Sequence, residues 1–253
     1  MCTLVILRRP GEDWPVLIAA NRDEMIDRPA RAPARHWPDR PEVTAGLDEL
    51  AGGSWLGIND HGVVAGILNR HGSLGPAPGQ RSRGELVLEA LDHADARDAA
   101  EALALVDPAA YRTFNLVIAD NRDAFWLKHA DPTGTLPLSM IELKAGLHLM
   151  AAGDLDDAET PRLKRFRPLF DAAQIPEPGR DDWSGWEKLL LDESFAPEVG
   201  PQEAMRFDTG RGFATVSSAL IALPALFRPE LKPVFRFAAH KPKAEPWRDV
   251  LAP

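Results

Sequence analysis

The chain has 253 residues, with 29 Lys and Arg against 38 Asp and Glu, a formal charge of −9. That sign opposes non-specific attraction to nucleic acid or to an anionic membrane, so neither is an expected partner. Hydrophobic residues at 45% suffice for a substantial core, and 1–253 is expected to form a single domain.

In chain order, Thr3 to Arg8 and Trp14 to Ala20 are short apolar runs joined by a turn-rich segment through Pro10 and Gly11, which predicts a β-hairpin. Asn21-Arg22-Asp23-Glu24 then closes the second strand. Pro29 to Pro41, with Arg31, Arg35 and Arg40 around Trp37, is read as a solvated loop. Ser54 to Asn59 and Val63 to Asn69 form a second predicted hairpin across Asp60-His61-Gly62. Ser82 and Glu85 have capping-box spacing ahead of a helical stretch that restarts near Asp95 and ends before Pro108. Strands follow at Phe114 to Ala119, Phe125 to His129, Leu138 to Leu143 and Leu147 to Ala152. Thr160-Pro161 opens a helix to about Ala173, with Arg162, Lys164 and Arg165 assigned to its wet face. A helix near Trp183 to Leu191 and strands at Phe213 to Leu223 and Val234 to Ala238 complete the pattern. Blocks of strand and helix without βαβ alternation predict antiparallel sheets with helices outside them, an α+β architecture. The strands are apolar on both faces, so both faces should be covered.

Cys2 is the only cysteine, which excludes an intrachain disulfide and favours a reducing compartment. No segment is long enough for a membrane span, and Arg8 and Arg9 follow the first apolar run where a secretory leader needs them before it. Cytoplasm is the expected location, with no stable membrane insertion. The excess of arginine over lysine, with abundant alanine, looks like a GC-rich bacterial coding bias. His61, His71 and His148 lack metal-ligand spacing, and neither metal nor cofactor is expected.

Removal of Met1 would put a thiol and a free α-amine on one carbon. An α-amine titrates near pH ~7.7–8.0, so it can take the thiol proton and activate the sulfur. The hairpin returns Asn21 to Glu24 to the neighbourhood of Cys2. Their carboxylates can hold the terminal ammonium, while Asn21 or Arg22 can orient a substrate carbonyl or carboxylate. Trp55 is a candidate pocket wall, with a core tryptophan as the plainer reading. His148 is the histidine of interest because it lies on a strand.

Met1-Cys2-Thr3, Ala20-Asn21-Arg22-Asp23-Glu24, Arg28-Pro29 with Trp37, Gly52 to Asn59, Gly62 to Ala65 through Asn69, Ser82-Arg83-Gly84 and Gly146-Leu147-His148 closely resemble the NRDE family. This is the transport and Golgi organisation protein 2 family, itself similar to the cysteine branch of the N-terminal nucleophile hydrolases, with penicillin V acylase and bile salt hydrolase. The resemblance implies a four-layer αββα sandwich of two antiparallel sheets. It also implies attack by Cys2 on the carbonyl of a small acyl-amide, with Asn69 as oxyanion donor. Glu24 falls where those acylases place an amine-orienting aspartate, and Asn21 where they place an arginine. Arg22 and Asp23 can fill the same roles instead. Two motifs depart from the family: Ala151-Ala152 replaces a Ser-Asn pair, and Val216 replaces an arginine in Thr215-Val216-Ser217-Ser218. The alternative function is a non-catalytic binding or trafficking protein for a lipid-like, acyl-CoA or haem ligand.

Overall fold

The computed structural model describes residues 2–252. In chain order its strands are β1 (Thr3–Arg8), β2 (Val16–Met25), β3 (Ala30–Ala34), β4 (Val43–Asp48), β5 (Leu56–Asn59) and β6 (Val64–Asn69). After helices α1 (Gly84–Leu91) and α2 (Ala96–Leu103) come β7 (Phe114–Ala119), β8 (Ala124–His129), β9 (Ser139–Glu142) and β10 (Gly146–Met150). Helices α3 (Pro161–Ala172) and α4 (Ser184–Leu190) precede β11 (Phe213–Leu223), β12 (Val234–Ala239) and β13 (Arg248–Asp249). The chain divides into two compact units: residues up to Arg28 with those from Ala145 onward, and Pro29–Lys144.

In the first unit, the strands pair in the order β10-β1-β2-β11-β12-β13, all antiparallel. Odd-numbered residues of β1 and β2, such as Val5, Leu17 and Ala19, face α3 and α4 and pack on Leu163, Phe166, Phe170, Trp186 and Leu190. Even-numbered residues such as Leu4, Ile6 and Ile18 are buried on the other face. Alternation of side chains across a strand therefore puts apolar groups on both faces, as the unbroken apolar runs require.

In the second unit, β3 to β9 pair in chain order as an antiparallel meander. Its core lies under α1 and α2, where Leu86, Leu91, Ala99 and Leu103 meet Val43, Ala65, Leu116 and Phe125. Gly57 permits that contact, since a Cβ there would come within 2.4 Å of the Ala45 Cβ and 2.9 Å of Leu91 Cδ1.

Several expectations need correction. The polar stretch Asn21 to Glu24 does not leave the sheet: β2 runs through it to Met25, because Asn21 and Asp23 pair with Ser218 and Thr215 of β11. Part of the presumed loop is strand β3, whose Pro33 is tolerated because β3 lies at the sheet edge. Ser82 and Glu85 form no capping box. The Glu85 carboxylate pairs with Arg81 at 2.7 Å and accepts from the Tyr111 hydroxyl at 2.6 Å. Thr160 gives α3 no side-chain cap, since its hydroxyl donates to Asp157 at 2.7 Å. Arg162 does not face water at all. It is 1% exposed, inside the first unit.

Candidate active site

The β1–β2 register pairs Thr3 with Asn21, and one further step along both strands sets Cys2 beside Arg22. The half-buried Cys2 thiol is held by the Asp23 backbone: Sγ accepts from the Asp23 N–H at 3.4 Å and donates to its carbonyl oxygen at 3.6 Å. Burial pushes the thiol pKa up, and the negative charge of Asp23 adds to the rise. The Arg22 guanidinium pulls the other way.

The Asp23 side chain points to the helix face of the sheet. There Oδ2 accepts from Arg162 Nη1 at 2.9 Å and Oδ1 from the Thr215 hydroxyl at 2.7 Å. Arg162 Nη1 also donates to the Thr3 hydroxyl at 2.8 Å, and its guanidinium lies 5.3 Å from the centre of the Phe207 ring. A buried ion pair, braced by two threonines, thus lies one residue from the sulfur along each strand.

Asn21 occupies the same helix face but has a different duty. Its Nδ2 donates to the Leu190 and Met205 carbonyls, each at 2.8 Å, tying α4 and the segment before β11 to the sheet. Its Oδ1 accepts from the Ser218 hydroxyl at 2.5 Å, and Ser218 in turn contacts His240 Nε2 at 2.7 Å. With Ser218 donating to Asn21, His240 must donate to Ser218, which assigns the proton to Nε2. Burial, followed by the charge of Arg206, pushes the His240 pKa down to about 4.

The model of the Transport and Golgi organisation 2 family matches residues 1–183 of the 253. The chain belongs to this family. A Transport and Golgi organization protein 2 homolog from Bos taurus is 40% identical over 114 residues, spanning 42% of this chain and 39% of the relative. The match thus covers about two fifths of that relative's length. The relative is mammalian and lends no support to the bacterial origin suggested by coding bias. Among solved structures, a Caenorhabditis elegans N-acylethanolamine-hydrolyzing acid amidase ortholog aligns with a TM-score of 0.56 at 11% identity, covering 87% of this chain and 92% of that one. A conjugated bile acid hydrolase from Clostridium perfringens gives 0.52 at 12% identity, covering 98% and 92%. At such identities the likeness is one of fold: this Transport and Golgi organisation 2 family member is an α+β protein with the antiparallel sheets and flanking helices of N-terminal nucleophile amidases.

Within that family frame, the expected site residues separate. Of the four residues at the end of β2, the structure brings Asp23 and Arg22 to Cys2. The Glu24 carboxylate turns to its own strand, lying 3.9 Å from Arg22 and 3.8 Å from Arg28 and accepting from Met25 N–H at 2.9 Å. Asn21 presents no free amide. The β1–β10 pairing ends at Leu4 and Met150, and Ala152, where the resemblance places an asparagine, follows in the bend beyond it. His148 pairs with Ile6, four residues from Cys2, about 13 Å along the strand. Its Nδ1 contacts Asp156 Oδ2 at 2.7 Å. Burial raises the Asp156 carboxyl, but hydrogen bonds from His148 and the Leu149 N–H hold it below the ordinary range. Val216 lies in a β-bulge between Thr215 and Ser217, and its carbonyl accepts from the His240 N–H at 2.8 Å.

Asn69 and Trp55 belong to the second unit. Asn69 ends β6, half-buried and paired with Phe114. The Trp55 indole lies against Gly46, where a Cβ would come within 2.3 Å of the ring. Met1 lies outside the described residues. Two site residues escaped the sequence reading, Arg162 and His240. For Arg162 a signal existed, because it shares a helical stripe with Phe166 and Phe170 at spacings of four. His240, just past β12, carried none.

Proposed function

We propose that the protein is an N-terminal-cysteine amidohydrolase acting on a small acyl-amide after removal of Met1. The Cys2 thiol passes its proton to its own α-amine, and the thiolate attacks the amide carbonyl carbon. Collapse of the tetrahedral adduct breaks the C–N bond, with the α-ammonium returning the proton to the departing amine. A thioester is left, and water, deprotonated by the same amine, hydrolyses it to the acid and restores the thiol. The observation that carries this reading is the seat of the Cys2 sulfur on the Asp23 backbone, with the Asp23–Arg162 pair behind it. A fixed carboxylate there is suited to hold the new ammonium and set its pKa. Arg22 is suited to a substrate carbonyl or carboxylate. The resemblance assigns the oxyanion to Asn69, and Asn69→Ala tests that assignment. Trp55 and His148 are carried forward as substrate-binding residues on the same footing.

One observation favours the second reading, ligand binding or trafficking without chemistry. Ala152, where the resemblance places an asparagine, offers no side-chain donor, and losing one oxyanion donor costs about 3 kcal/mol of transition-state stabilisation. Intact mass of cell-derived protein, with and without a thiol-directed acyl probe, decides between them. The amidohydrolase requires loss of Met1 and capture of one acyl group, abolished by Cys2→Ala. Retained Met1 with no capture, together with ligand uptake that survives Cys2→Ala, establishes the binding reading.

A further inference from the structure

A concave site lies in the first unit, at the opposite end of β1 from Cys2. From Thr3 to Arg8 is five residue steps, about 17 Å. The cleft encloses about 500 Å³, and its walls come from the β1–β2 turn, the segment after α3 and the loop after β11. That volume suits a small organic ligand. Trp14, Ile175 and Leu231 supply apolar wall. Gly179 lies beside the indole, where a Cβ would be 3.9 Å from Trp14 Nε1.

Three arginines line the cleft, and two are engaged. Arg228 pairs with Asp13 and, at 2.5 Å, with Glu230, and Arg180 pairs with Glu177 at 3.1 Å. Arg9 differs. Its one side-chain hydrogen bond among the described residues is a long one, from Nη2 to the Trp14 carbonyl at 3.4 Å, and its buried Nε has no partner. A buried guanidinium N–H without an acceptor is costly, and a bound anion is one means of supplying that acceptor. The turn that holds it is well fixed, by Arg9 N–H to Pro15 O at 2.8 Å and Ala225 N–H to Asp13 O at 2.9 Å.

We infer that this cleft binds a monocarboxylate with an apolar, aromatic or aliphatic body. Arg9 forks the carboxylate, and Trp14, Ile175 and Leu231 take the body. The surrounding carboxylates of Glu12, Asp13 and Glu177 select a single negative charge over a phosphate dianion, which they would repel. This site uses nothing of the Cys2 machinery.

The test is titration calorimetry of the full chain with naphthoate, its uncharged isostere naphthamide, and inorganic phosphate. Naphthoate binds saturably, and naphthamide at least about tenfold more weakly, the worth of one charge-assisted pair. Arg9→Gln reduces naphthoate to the naphthamide level, Gly179→Leu fills the cleft and abolishes both, and Cys2→Ala changes neither. Equal binding of naphthoate and naphthamide, absence of naphthoate binding, or full binding by a folded Arg9→Gln chain overturns the inference. Phosphate binding as tightly as naphthoate overturns the monocarboxylate selectivity. Should Arg9→Gln fail to fold, the ligand pair and Gly179→Leu still decide.

Discussion

Replacing Arg162 by Met tests whether the buried pair organises the first unit. Met keeps the helix propensity and most of the packing against Phe207, but takes the Arg162 guanidinium away from the Asp23 carboxylate while leaving the Thr215 hydroxyl bond in place. Arg162 and Asp23 are 1% and 3% exposed, so water cannot take the lost partner's place. Removing one member of a buried pair costs about 3–5 kcal/mol. In a chain of this size each kcal/mol lowers Tm by roughly 2–4 °C, so a fall of roughly 6–20 °C follows. Urea unfolding followed by tryptophan fluorescence measures it, as a drop in midpoint with unchanged slope. The double change Arg162→Met with Asp23→Asn removes both charges and returns most of the loss. Arg35→Met, which breaks an ion pair with Asp60 whose side chains are 50% and 51% exposed, costs less than about 1 kcal/mol. A loss as small as the Arg35 control, or a double variant no better than the single one, refutes the reasoning.

Asn21→Ala deprives the Leu190 and Met205 carbonyls and the Ser218 hydroxyl of partners, and it destabilises by about 3 kcal/mol, read by urea midpoint. Asp23→Asn removes the charge that raises the Cys2 thiol pKa, so the midpoint of the iodoacetamide pH–rate curve moves to lower pH. His240 has a folded pKa near 4 against an ordinary 6.5, so the unfolded chain binds the proton first as pH falls. Stability is therefore full above pH 6.5 and is lost progressively between 6.5 and 4, by at most about 3 kcal/mol and less where solvent screens the ring; urea midpoints against pH show this limb flattened in His240→Gln.

The strands at Thr3–Arg8, Phe114–Ala119 and Phe213–Leu223 were legible residue for residue, because short apolar runs bounded by turn residues have few other structures open to them. Helix α2 was legible from Asp95, whose side chain caps it at the Asp98 N–H. The capping box at Ser82 failed because local spacing cannot know that Arg81 and Tyr111 will draw Glu85 away. β3 and β4 were missed because an edge strand with a proline, and its partner beyond, read locally as loop. In the candidate site, Cys2 and the segment from Asn21 to Glu24 could be found from hairpin geometry alone. That the Asp23 backbone is what holds the sulfur could not.

By itself, the sequence determined that the chain is an antiparallel α+β protein whose leading thiol stands beside the polar end of β2. Hydrophobic period and turn chemistry are local properties, and they suffice for that. Only the tertiary structure decided that Asn21 is a structural clamp, that Asp23 and not Glu24 backs the sulfur, and that Arg162 is its counter-ion. Those roles follow from strand register and from a helix some 140 residues away in sequence, whose buried charge gains a partner only when the sheet and α3 come together.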